Sequence, residues 1–209
     1  MTSTADYMDR LQVILDGLRV TELAPVLDLL RWARVLYVAG NGGSDANASH
    51  LVLHLRELGM DAQDLLGDMP LLTALANDFA YDEVVRKRLR QHGGPADCLV
   101  VLSGSGNSRN IILALVAARA RGLKTVGLLG FGGGDARGLC DVAIVFESRE
   151  YGPIEDAHSV IIHILKEQLG GGGAGPAPGG SRVREPAGST ADAAGPGAPH
   201  DSPAGPPAA

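Results

Sequence analysis

Val35-Leu36-Tyr37-Val38-Ala39-Gly40-Asn41-Gly42-Gly43-Ser44 and Cys98-Leu99-Val100-Val101-Leu102-Ser103-Gly104-Ser105-Gly106-Asn107-Ser108 share one pattern. Each is a short apolar run, then a glycine- and serine-rich turn, then a segment with helical periodicity. Short apolar runs bounded by turn residues read as buried strands of a parallel sheet. A tight turn that opens a helix presents unpaired backbone N–H groups and about half a positive charge, and serine hydroxyls add further donors. Either turn alone is an ordinary strand-to-helix connection. The pair in one chain points to a phosphorylated ligand. Neither carries a Walker lysine, and Gly104-x-Gly106 is followed at the third position by Arg109, so neither a P-loop nor a dinucleotide fingerprint is present.

The pattern repeats outward from these two turns. Apolar side chains at helical spacing over residues 5–32 (Tyr7, Leu11, Ile14, Leu15, Leu18, then Leu23, Val26, Leu27, Leu30) predict two helices. After strand Val35–Ala39 the reading gives a helix over Ser44–Leu58 and a short strand near Ala62–Leu66. Helical segments follow over Pro70–Asn77 and Tyr81–Gln91, then strand Cys98–Leu102, helix Asn107–Arg121, and strands Thr125–Leu129 and Val142–Phe146. A last helix runs from Ile154 to Leu169. This alternation predicts an α/β fold with a parallel sheet covered by helices on both faces. Ligands in such folds sit at the carboxyl ends of the strands, where both turns lie.

The chain divides into residues 1–169, which carry these patterns, and residues 170–209, which are mostly Gly, Pro and Ala. The tail has no periodicity and too few large apolar side chains to offset its ordering entropy, so it is expected to be disordered and to carry no catalytic residue. Over the 209 residues, 45 % are apolar but only 4 % aromatic, so the core must be built from Leu, Val, Ile and Ala. A formal charge of −6 argues against a nucleic-acid partner, which calls for a basic face. Cys98 and Cys140 form no CxxC motif and read as small buried hydrophobes in a reducing compartment. No signal-peptide pattern and no apolar run of about 18 residues is present, so a soluble, cytoplasmic protein without membrane contact is expected.

Histidines supply the remaining chemistry. His50 and His54 lie four residues apart after the first turn and so share a helix face, while Glu155, His158 and His163 fall on the last helix. Such a set is either a metal or acid–base constellation or a group of structural histidines. His158 reads as a packing or solvated residue.

Five separated motifs together resemble the sugar isomerase (SIS) domain. They are Gly40-Asn41-Gly42-Gly43-Ser44; Ala48-Ser49-His50; Asn77-Asp78-Phe79; Ser103 to Ser108; and Glu155-Asp156-Ala157-His158 with Ile162-His163-Ile164. Over residues 5–169 the resemblance is greatest to the phosphoheptose isomerase branch, which converts sedoheptulose 7-phosphate to a heptose 7-phosphate. It implies a five-stranded parallel sheet, a homotetramer with sites between subunits and, in many members, zinc. It implies that Asn41, Gly42, Gly43 and Ser44 form the first ligand-binding loop, that Asn77 and Asp78 bind ligand, and that Ser103, Ser105 and Ser108 hold phosphate. Gly104 stands where a threonine is common. His50 and His163 match metal positions, and His163 also matches the catalytic histidine.

Two positions depart from the family pattern. His54 occupies the position of the family's catalytic glutamate, and Glu155 that of a glutamine ligand. The resulting expectation is a metal shell of His50, His54, Glu155 and His163, with Glu155 as base, His163 as acid and His54 as the other candidate base. One geometric difficulty accompanies it. If Glu155 and His163 share one regular helix, they lie about 12 Å apart along its axis, so either the helix starts after Glu155 or the two come from different subunits. A non-catalytic SIS module that binds a phosphosugar or a protein partner is the competing reading.

Overall fold

The computed structural model describes residues 3–171, so the tail expected over 170–209 lies almost entirely outside the described residues. Five parallel strands, β1 (Leu36–Ala39), β2 (Ala62–Asp64), β3 (Cys98–Ser103), β4 (Lys124–Leu129) and β5 (Val142–Val145), form one sheet in the order β2-β1-β3-β4-β5. The expected five-stranded parallel sheet is thus present. β1 and β3 are neighbours, with Leu36 opposite Cys98 and Ala39 opposite Val101, so the two Gly/Ser turns leave adjacent strand ends. The chain crosses outward to β2 on one side of β1 and inward to β3 on the other. That reversal opens a crevice at the carboxyl ends of β1 and β3.

Eight α-helices cover the two faces among the described residues: α1 (Thr4–Arg19), α2 (Ala24–Trp32), α3 (Gly43–Glu57), α4 (Met69–Asp78), α5 (Val84–His92), α6 (Arg109–Ala120), α7 (Gly134–Arg137) and α8 (Tyr151–Leu169). Strand side chains alternate between two cores. Leu36, Val38, Val100, Leu102, Val126 and Leu128 point to α1, α2, α3 and α8, where Ile14, Leu30, Leu51, Leu55, Ile161 and Leu165 pack on them. Tyr37, Ala39, Leu99, Val101 and Leu129 point to the other face, against Leu75, Val85, Leu89, Ile111 and Leu115. Both faces of β1 and β3 are buried throughout, which is why these two strands read as continuous apolar runs rather than alternating ones.

The helix starts differ from the sequence expectations for local reasons. Ser3 caps α1 through a capping box with Asp6, and Asp68 accepts the Leu71 N–H to cap α4. α6 starts at Arg109 rather than Asn107 because Ser108 is its extended N-cap residue. α8 starts at Tyr151, ahead of Pro153, because proline is tolerated in a first helical turn whose N–H groups lack partners anyway. Glu155 and His163 therefore do share one helix, and a helix beginning after Glu155 is excluded. No described helix is long and apolar enough to cross a membrane.

Candidate active site

The first Gly/Ser turn ends in α3 and the second in α6, and neither helix start carries a side-chain cap hydrogen bond. Between them lies a cavity of about 290 Å³ lined by Asn41, Gly42, Gly43, Ser44, Ser103, Gly104, Ser105, Ser108, Tyr151 and Glu155, with Leu102 at its floor. The serines are set up as donors. Ser103 Oγ accepts the Gly106 N–H at 3.0 Å and Ser105 Oγ accepts the Asn107 N–H at 3.1 Å, leaving each O–H proton free for a ligand. Asn41 is fixed from two sides. It exchanges amide hydrogen bonds with the buried Asn110 at 2.9 and 2.8 Å, and its Oδ1 accepts the Tyr81 hydroxyl at 2.6 Å.

Glu155 enters this cavity from α8. Its carboxylate lies on the bare face of Gly43, so close that a Cβ there would fall 2.5 Å from Oε1 and nearer still to Oε2. Asn47 on α3 holds the two helices in this relation: its Nδ2 donates to the Glu155 carbonyl at 2.9 Å, and its Oδ1 accepts the Ser159 hydroxyl at 2.7 Å. Asn77 and Asp78 are not brought here. They are exposed at the end of α4, where Asn77 Nδ2 donates to Asp78 Oδ1 at 3.1 Å.

Farther along α3 and α8, His50, His54 and His163 converge, with one ring nitrogen of each inside a 4.8 Å span. Their ring centroids are 4.4, 5.0 and 5.4 Å apart. His54 Nδ1 is 3.0 Å from Glu57 Oε2, while its Nε2 is buried with no partner among the described residues. Lys166 donates to the same Glu57 oxygen at 2.6 Å. Lys166 first and His54 second hold the Glu57 carboxyl down to about 2. Burial, then the neighbouring imidazoles of His54 and His163, lower the pKa of His50. Three imidazoles with an orphaned buried nitrogen fit a divalent ion such as zinc. Glu155, two turns away on α8, is not in this group, so within one chain the converging ligands are three histidines rather than the expected four residues.

A larger cavity of about 680 Å³ lies beside the edge strand β2, between Arg56, Asp61, Asp64, Asp68 and Arg88, and includes none of the Gly/Ser-loop residues. Each arginine donates to one of the chain's own carbonyls, Arg56 to Ala62 at 2.8 Å and Arg88 to Leu65 at 2.7 Å, while Arg88 Nε is buried with no partner among the described residues.

Residues 22–130 match the SIS domain family. The phosphoheptose isomerase of Nitratidesulfovibrio vulgaris (strain Miyazaki F) is 38 % identical over 155 residues, which is 70 % of this chain and 74 % of that one. The chain belongs to the phosphoheptose isomerase branch of the SIS-domain family. The phosphoheptose isomerase of Pelobacter propionicus is 39 % identical over 148 residues, covering 68 % of this chain and 78 % of its own. Among solved structures, the phosphoheptose isomerase of Neisseria gonorrhoeae superposes with a TM-score of 0.75 at 27 % identity, covering 79 % of this chain and 96 % of that one.

Within this isomerase branch, the structure bears on one departure. At Gly104, where the resemblance implies a threonine, the Tyr151 ring lies where a side chain would go, 2.6 Å from a Cβ at that position. Sequence reasoning missed Tyr151, Tyr81, Asn110, Asn47, Glu57 and Lys166. Only Asn110 and Asn47 left a sequence trace, as polar residues on the buried faces of α6 and α3.

Proposed function

We propose that the chain interconverts sedoheptulose 7-phosphate and an aldose heptose 7-phosphate by proton transfer through an enediol. The observation that carries this reading is a carboxylate, Glu155, in the same cavity as the free hydroxyls of Ser103, Ser105 and Ser108. Those hydroxyls and the starts of α3 and α6 hold the phosphate. Glu155 takes the proton from C1 of the ketose as O2 gains one from water, giving the enediol, and the same carboxyl returns its proton to C2 as the O1 proton leaves to water, giving the aldose. His54 is the weaker base candidate, because Nδ1 is committed to Glu57 and Nε2 faces the other imidazoles.

His50, His54 and His163 would hold one divalent ion, zinc by donor type. Such an ion supplies Lewis-acid polarisation of a substrate oxygen. A ligated imidazole has no proton on its bound nitrogen, so with the ion in place His163 would serve as acid only through its other ring nitrogen. The family resemblance supports a homotetramer in the cytoplasm. Exposed Met8 and Val13 on α1 and Trp32 on α2 offer apolar surface for assembly.

The test is incubation with sedoheptulose 7-phosphate, with NMR detection of the aldose product. Accumulation to a fixed ketose–aldose ratio supports the isomerase. Binding without turnover would make the chain a phosphosugar-binding module instead.

A further inference from the structure

We propose that Glu57, anchored by Lys166, is a positioning residue that presents His54 Nε2 as a metal-binding lone pair. The proposal rests on the metal reading above. His50, His54 and Glu57 occupy positions i, i+4 and i+7 of α3 and so share one face. His163 and Lys166 are three apart on α8 and share the face that meets it. The two helices that supply the imidazoles therefore also supply the carboxylate and the cation behind them.

An ionised carboxylate can only accept, so the 3.0 Å contact from His54 Nδ1 to Glu57 Oε2 requires the proton on Nδ1. In the neutral ring that leaves Nε2 unprotonated. Nε2 is buried and has no hydrogen-bond partner among the described residues, while the rings of His50 and His163 stand beside it. A buried acceptor without a partner calls for a ligand that the chain does not itself provide.

Lys166 completes the device. Its ammonium bonds Glu57 Oε2 at 2.6 Å across 109 residues of sequence, tying α3 to α8 at the level of the cluster. Without it, an exposed glutamate side chain would be free to turn to water, and His54 could adopt either tautomer. A carboxylate behind a metal-bound histidine fixes ring orientation and tautomer and makes the ring a better ligand. The negative charge that the three imidazoles lack is thus supplied one residue farther out.

The test uses the full-length chain in two measurements. Zinc affinity is measured by competition with a chromophoric chelator for wild type, E57A and E57Q. The His54 tautomer is read from ¹⁵N shifts of metal-free wild type. The expected results are one zinc per wild-type chain, a loss of about 10- to 100-fold in E57A, and substantial recovery in E57Q, whose amide oxygen still accepts the Nδ1 proton. Wild-type ¹⁵N shifts should show Nδ1–H, a readout that holds even if E57A does not fold. Zinc affinity in E57A within twofold of wild type, or an Nε2–H tautomer, would overturn the positioning role alone. Absence of zinc binding in wild type would overturn the metal reading and this inference together.

Discussion

A single methyl group at Gly43 tests whether catalysis depends on where Glu155 sits. Gly43 is the first residue of α3, and its backbone suits alanine. An alanine Cβ would lie 2.5 Å from Glu155 Oε1 and nearer still to Oε2, whereas ordinary contact begins at 3.4 Å, so the carboxylate must withdraw by more than about 0.9 Å. The obstacle is the end of a flexible side chain rather than backbone. The strain is then at most that of an off-rotamer glutamate, about 0.5–1.5 kcal/mol. Replacing a helical glycine by alanine returns about 0.5–1 kcal/mol, so stability should stay within about 1 kcal/mol of wild type. Turnover should not. Misplacing a reacting group by about 1 Å can lower the rate about 100-fold. The assay pairs a thermal melt with kcat and KM for the heptose phosphate. Gly43→Ala with an unchanged melt and a kcat lowered about 100-fold supports Glu155 as the base. An unchanged kcat would refute the claim that the carboxylate works from this position.

Two further outcomes follow from the same geometry. Ser105→Ala with Ser108→Ala removes two hydroxyls from the phosphate loop. At about 1.5–3 kcal/mol for each of two hydrogen bonds to a charged group, heptose-phosphate affinity should fall at least about 100-fold by calorimetry, with the melt unchanged; equal affinity would reassign the loop. His158 is fully buried against Phe146, with ring centroids 5.1 Å apart, and burial pushes its pKa down to about 4. A histidine kept neutral by the fold contributes stability that is complete above its unfolded pKa of about 6.5 and is lost as pH falls toward 4, by up to about 3 kcal/mol. Urea denaturation between pH 7.5 and 4 should show this loss in wild type and a flatter profile in His158→Leu, and identical profiles would exclude the residue as its source.

The fold was legible because its signals are local. Val35–Ala39 and Cys98–Leu102 announce buried strands by composition, and the glycines and serines after them announce helix starts. The order β2-β1-β3-β4-β5 was not written in any one segment, since it depends on pairings such as Leu36 with Cys98. The same limit divides the candidate site. The first loop and the serines could be read because each group is continuous in sequence. Tyr81 on Asn41, Asn47 on Ser159 and Lys166 on Glu57 are 40, 112 and 109 residues apart, and no spacing rule connects them. Helix geometry did flag the difficulty of supplying both Glu155 and His163 to one metal ion from a single regular helix. What it could not supply was the other destination, the cavity at Gly43, because that requires the packing of α8 against α3.

Turnover of sedoheptulose 7-phosphate by Glu155→Gln tests the central claim most directly, because it removes the carboxylate from the phosphate cavity while leaving His50, His54 and His163 in place. The account requires near-complete loss of turnover, with calorimetric affinity for the sugar phosphate and the thermal melt close to wild type. Near-normal turnover in Glu155→Gln would contradict it and pass the role of base to His54.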